Sequence, residues 1–214
     1  MFLMKKYWAE LIGTFILVFA GTGAIVINEL YGSVTHLGVG LTFGLVVMAV
    51  IYSIGEISGA HINPAVSIAF WSAKRMNGKE VLPYIVFQIL GAFLASFTIK
   101  MLFPESNLYG ATLPAGSWEQ SFILEFILTF ILMFVILQVS SGSKETGTMA
   151  AIAIGAVVAL EAIFAGPVCG ASMNPARSIA PAVMAGNLTH LWLYIVATTL
   201  GAVASVGAYR LIKP

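Results

Sequence analysis

Ser58-Gly-Ala-His-Ile-Asn-Pro-Ala-Val66 and Gly170-Ala-Ser-Met-Asn-Pro-Ala-Arg-Ser178 are two copies of one pattern in the same chain. In each, a loop of mostly small residues (Gly55 to His61, Gly166 to Ser172) leads into Asn-Pro, and a short apolar run follows: Pro64–Ala73 and Pro175–Met184. Asn caps the open N–H groups at a helix start, and Pro suits the first helical position. A run of about ten residues at 1.5 Å per residue reaches ~15 Å, half the hydrocarbon core of a bilayer. Each copy therefore predicts a half-helix entered through an irregular loop. Loop backbone cannot face lipid, so both loops must be buried in protein or line water. The expected elements are two re-entrant half-helices.

The rest of the chain supplies the membrane for them. Of 214 residues, 59% are hydrophobic and 9% charged, with nine Glu and no Asp. Soluble domains carry about 25% charge. A surface this poor in charge does not stay in water as a monomer. A net charge of +1 excludes a polybasic nucleic-acid binder. One cysteine, Cys169, excludes an internal disulfide or a thiolate metal cage, and no metal or other cofactor is expected. Six apolar runs have spanning length: Tyr7–Asn28, Leu37–Ile54, Val81–Leu102, Phe122–Val139, Thr148–Ala165 and Leu191–Leu211. The first follows Lys5 and Lys6, but its length and Glu10 argue against a cleaved signal peptide. No room remains for a second domain.

The two halves repeat in order. Ala9-Glu10-Leu-Ile-Gly-Thr14-Phe15 matches Leu124-Glu125-Phe-Ile-Leu-Thr129-Phe130, and Tyr84-Ile-Val86 with Leu90-Gly-Ala92 matches Tyr194-Ile-Val196 with Leu200-Gly-Ala202. The Asn-Pro loops lie between, at nearly the same offset. Each half holds three spans, an odd number, so the second copy is inverted. The expected fold is an all-α membrane domain over 1–214. It has six transmembrane helices plus two re-entrant half-helices, in inverted three-helix repeats at about 5–103 and 118–213. Lys5, Lys6, Lys74, Arg75, Lys79, Lys144, Arg210 and Lys213 fall on one side and Lys100 near the other. The positive-inside rule then puts both termini in the cytoplasm of a cell membrane.

Two Asn-Pro-Ala boxes, Asn63-Pro64-Ala65 and Asn174-Pro175-Ala176, placed this way with Glu10 and Glu125, resemble the aquaporin (major intrinsic protein) family. The likeness runs from about Glu10 to Gly201 and is nearest in pattern to the nodulin-type and prokaryotic branches. It implies a passive channel, not an enzyme, whose partners are the lipid bilayer, water and small neutral solutes, and a homotetramer. It also implies a filter made by Phe43, Ala162, Ala171 and Arg177, and a pore-wall position for His61. Physics agrees with such a pore. Two helix N-termini at the midplane make a positive potential, and two asparagine amides orient a passing water so that its hydrogens point outward. Barriers of this kind are known in aquaporin-type pores.

Two departures, one from strict water channels and one from glycerol facilitators, bear on the solute. Ala162 stands where those channels carry His, and Phe43 and Ser178 stand where glycerol facilitators carry Trp and Asp. The filter is expected to be wide and amphipathic, passing glycerol-sized polyols with water, with urea and neutral metalloid hydroxides as further candidates. A strictly water-selective pore is the alternative. A coupled transporter using Glu10, Glu125 and Glu161 is the rival of a different class, since intramembrane acids are functional hypotheses in general. Ser58, His61 and Glu56 on one loop lack the orienting geometry of a catalytic triad. Glu10 and Glu125 are expected to brace the loops by accepting from backbone N–H groups. Glu161, beside Ala162, is expected to bond the backbone of the loop before Asn174, or else, with a one-residue shift, to face the filter. Cys169 is expected near the outer mouth or in plain loop packing.

Overall fold

The computed structural model describes residues 2–141 and 144–212. Lys213, counted above among the basic residues, lies outside them, and so do the side chains of Lys144 and Thr148. The described residues form eight helices: α1 (Phe2–Tyr31), α2 (Thr35–Ser58), α3 (Pro64–Ser72), α4 (Gly78–Leu102), α5 (Trp118–Val139), α6 (Lys144–Cys169), α7 (Pro175–Ala185) and α8 (Leu191–Ile212). All except α3 and α7 are long and apolar enough to cross a membrane.

Every expected span lies inside one of these helices, and the helices run farther. Two of the extensions correct the loops. Gly55–Ser58 and Gly166–Cys169 were expected to be irregular, yet they complete α2 and α6. Of these two loops, only residues 59–63 and 170–174 are non-helical. An added helical turn pairs its own backbone groups, which lipid cannot do. Helix therefore continues until glycine ends it: Gly59 and Gly170 take left-handed φ of +86° and +85°, and their N–H groups return to Gly55 and Gly166 O.

Pro167 sits within α6 and cannot donate to Ile163 O four residues back. His36 at the start of α2 supplies the missing donor, Nε2 to Ile163 O at 2.6 Å. Because the acceptor is a carbonyl, the ring must carry its proton on Nε2.

α1 packs on α2 and α4, as α5 packs on α6 and α8; α2 against α6 joins the halves. Each half-helix leans on a span of the other half, α3 on α8 and α7 on α4. The helices touch backbone to backbone. A Cβ at Gly91 would meet the Leu11 carbonyl and Phe15 N, and one at Gly201 would meet the Phe126 carbonyl. These two glycines are the repeat partners seen in the sequence. Such contact is how membrane helices gain packing energy without a hydrophobic drive. The large apolar side chains left outside, among them Leu45, Phe97, Ile123 and Phe164, face outward from the bundle.

Candidate pore and filter

The two loops meet in the middle of the bundle. Asn63 and Asn174 have extended backbones and cap α3 and α7: Asn63 Oδ1 accepts from Ala65 N, and Asn174 Oδ1 from Ala176 N and Arg177 N. Their amide nitrogens reach across. Asn63 Nδ2 donates to Met173 O at 2.7 Å and Asn174 Nδ2 to Ile62 O at 2.9 Å. Each NH2 has two protons, so one remains beyond the cross-bond. Both asparagines line a cavity of about 360 Å³, together with His61, Phe43, Ala171 and Arg177.

The loops are strained alike. Ala60 and Ile62 have φ of +48° and +44°, and Ala171 and Met173 have +41° and +54°. Residues with a Cβ resist this region by about 1–2 kcal/mol each. Two glutamates hold it. Glu10 accepts from His61 N (2.9 Å), Ile62 N (2.7 Å), Ser58 Oγ (2.7 Å) and Gln88 Nε2 (2.7 Å). Glu125 accepts from Ser172 N (2.8 Å) and Met173 N (2.9 Å). Both carboxylates are fully buried. The twisted backbone turns consecutive N–H groups toward one carboxylate, so strain and hydrogen bonding belong to one arrangement.

His61 lies against Phe70, ring centroids 4.6 Å apart, with Nδ1 at 3.0 Å from Ser67 Oγ. Ser67 gives its single proton to Asn63 O and accepts from Gln88 Nε2. His61 Nδ1 must therefore be the donor, which leaves Nε2 as the ring's acceptor.

Arg177 is 2% exposed. Its Nη1 donates to Gly110 O at 2.7 Å, and its guanidinium carbon stands 5.1 Å from the centre of the Phe43 ring. Its Nε has no protein partner. Ala171 lines the same cavity, whereas Ala162 is buried in the adjoining core cluster with Phe43 and Ala171 and is not among the cavity's lining residues.

Glu161 corrects an expectation. It is fully buried on α6, and neither carboxyl oxygen has a hydrogen-bond partner. Two N–H groups of the loop before Asn174, Ser172 N and Met173 N, are already taken by Glu125. Nor does Glu161 line the cavity. Cys169 closes α6, fully buried, its Sγ 3.5 Å from Ala165 O.

Several positioning groups escaped the sequence reading. Tyr84 and Tyr194 hydroxyls donate to Ser58 O and Cys169 O, at 2.7 and 2.8 Å, tying the ends of α2 and α6 to α4 and α8. Their place in the repeat was the available signal. A hydroxyl chain joins the segment after α4 to α7: Thr112 Oγ1 to Ser178 Oγ at 2.7 Å, and Ser178 Oγ to Ser172 Oγ at 2.6 Å. Ser172 Oγ donates to Asn174 O, a carbonyl, so the protons run from Thr112 to Ser178 to Ser172. Thr112 and Gly110 lie in an irregular segment with no periodicity to read, and a carbonyl leaves no mark on side-chain identity.

Comparison with known proteins agrees with this geometry. The family model described as Major intrinsic protein matches residues 1–209. Aquaporin NIP1-1 of Zea mays is 45% identical over 212 residues, covering 98% of this chain and 75% of that protein. Nodulin-26 of Glycine max is 43% identical, covering 98% and 78%. The crystal structure of the aquaglyceroporin from Plasmodium falciparum superposes with a TM-score of 0.86 at 28% identity, covering 98% of this chain and 96% of that one.

Proposed function

Because the chain belongs to the major intrinsic protein family, we propose that its central cavity is a passive path for water and small neutral solutes, glycerol-sized polyols among them. The chain is a membrane channel of this class and not an enzyme. Phe43, Ala162, Ala171 and Arg177 form the filter in this reading, and Asn63 and Asn174 the midplane barrier. The observation that carries it is the meeting of Phe43 and Arg177 in one cavity. The guanidinium offers fixed donors to a hydroxyl oxygen. The Phe43 ring and the Ala171 methyl offer an apolar wall to a carbon skeleton.

Ions fail at the same place. A cation meets Arg177 and two helix N-termini, and any ion loses hydration that the apolar wall does not replace. The spare N–H of each asparagine binds a water oxygen, which turns that water's hydrogens outward and interrupts a proton wire. Glu10 and Glu125 brace the loops and carry no proton across the membrane. Both acids are committed to loop donors, which supports this reading over a coupled transporter.

The same reading takes the chain as one domain of two inverted repeats, about 5–103 and 118–213. It assembles as a homotetramer in the cell membrane with both termini cytoplasmic. Basic residues support the orientation by gathering at one end. Lys6 pairs with Glu80 at 3.2 Å, Arg75 binds Ser140 O, and Arg210 binds Ser72 O.

The test is Ala162→His assayed in proteoliposomes. An imidazole there should remove most glycerol flux and leave water flux. Equal glycerol flux before and after the change would remove Ala162 from the filter.

A further inference from the structure

The filter's width has a determinant that is not itself in the filter. Leu17 on α1 lines the cavity, and Gly21 lies one turn farther along the same face. A Cβ at Gly21 would overlap the Phe43 ring at Cε1, Cζ and Cδ1; even the Cδ1 contact would be only 2.7 Å. The ring thus occupies the space a side chain on α1 would need. We propose that Gly21 sets the aperture of the filter by letting the Phe43 ring withdraw into α1, and that this recess admits three-carbon polyols.

Any side chain at 21 must displace something, and the packing leaves one direction. α2 cannot back away, because Gly44 already sits against the backbone of α6. A Cβ there would stand 3.0 Å from Ala159 N, and one at Gly40 would stand 3.1 Å from Ile163 N. α1 cannot back away either, since Gly91 of α4 is pressed against Leu11 and Phe15 of α1. Backbone held on both sides leaves the ring to move. Its open side is the cavity, where the Arg177 guanidinium stands 5.1 Å from the ring centre. A ring pushed that way takes up part of the cavity that it and Arg177 line together.

This inference rests on Phe43 as a filter wall, so the experiment separates the two. Gly21→Ala, Phe43→Leu and the double variant are reconstituted at equal protein density, and water and glycerol permeabilities are measured for each. Ala is a better helix former than Gly, so loss of α1 is not expected. One added methyl at a tight wall should lower the glycerol-to-water ratio by about tenfold or more. Phe43→Leu in the same chain should restore it, because the shorter side chain vacates the contested space. An unchanged ratio in Gly21→Ala, or a loss that Phe43→Leu does not relieve, overturns the proposal. If the unsubstituted chain carries water alone, the polyol reading and the polyol part of this proposal fall together. The aperture role is then read in water flux, which must drop in Gly21→Ala and recover in the double variant, or it too is overturned.

Discussion

Glu161 is a buried carboxyl whose oxygens have no hydrogen-bond partner. Leaving a buried polar group unpaired costs about 1–3 kcal/mol. Replacing it with an apolar side chain of similar length should therefore cost nothing. Glu161→Met is expected to hold or raise the thermal unfolding midpoint in detergent, with water and glycerol permeability unchanged. A clear drop in the midpoint would mean that Glu161 has a partner the fold depends on. The sequence made this residue visible and misplaced its role. An acid in an apolar span announces itself, but which loop donors remain free depends on Glu125, 36 positions away. The place of Arg177 at the start of α7 follows from local sequence. Its neighbour Asn174 fixes where α7 starts, and the helix start fixes where the arginine points.

Among the elements, the re-entrant loops carry the strain and two unequal braces hold it. Glu10 accepts four hydrogen bonds, two of them from loop backbone, whereas Glu125 accepts two backbone bonds. Each change to Ala should cost several kcal/mol of stability at ~1–3 kcal/mol per stranded donor, and Glu10→Ala should lower yield and unfolding midpoint more than Glu125→Ala. Midpoints ranked the other way would contradict the bracing account. So would normal yield with a new proton-coupled current.

A second element-level test concerns the helix break in α6. His36→Ala should cost about 0.5–1.5 kcal/mol by leaving Ile163 O without its donor. In a Pro167→Ala background the backbone N–H returns to that carbonyl, and the same His36→Ala change should cost much less. Equal costs in both backgrounds, by chemical or thermal unfolding, would show that the two residues are independent. The half-helices themselves were legible, because Asn-Pro at a helix start and a ten-residue apolar run are local signals. The extensions of α2 and α6 through Gly55–Ser58 and Gly166–Cys169 were not, since glycine and proline there read as loop in isolation. The surrounding membrane makes helix the cheaper way to pair backbone groups.

For the whole molecule, hydrophobic run length and the repeated Asn-Pro pattern were enough to predict the eight helices of the described residues in their order. What they could not supply is the close packing that shapes the lumen. Gly21 under Phe43, Gly44 on α6 and Gly91 on α1 are ordinary small residues in apolar helices until the helices are brought together. A lumen that passes water and small polyols down their gradients while stopping protons has a signature in stopped-flow light scattering on proteoliposomes of the unmodified chain, mixed with hyperosmotic glycerol and carrying an internal pH dye. The vesicles should shrink quickly as water leaves, then reswell faster than protein-free vesicles as glycerol enters. Under an imposed pH gradient the dye should change no faster than in the protein-free control. Fast shrinkage with reswelling no faster than that of protein-free vesicles, or a protein-dependent proton leak, would contradict the account.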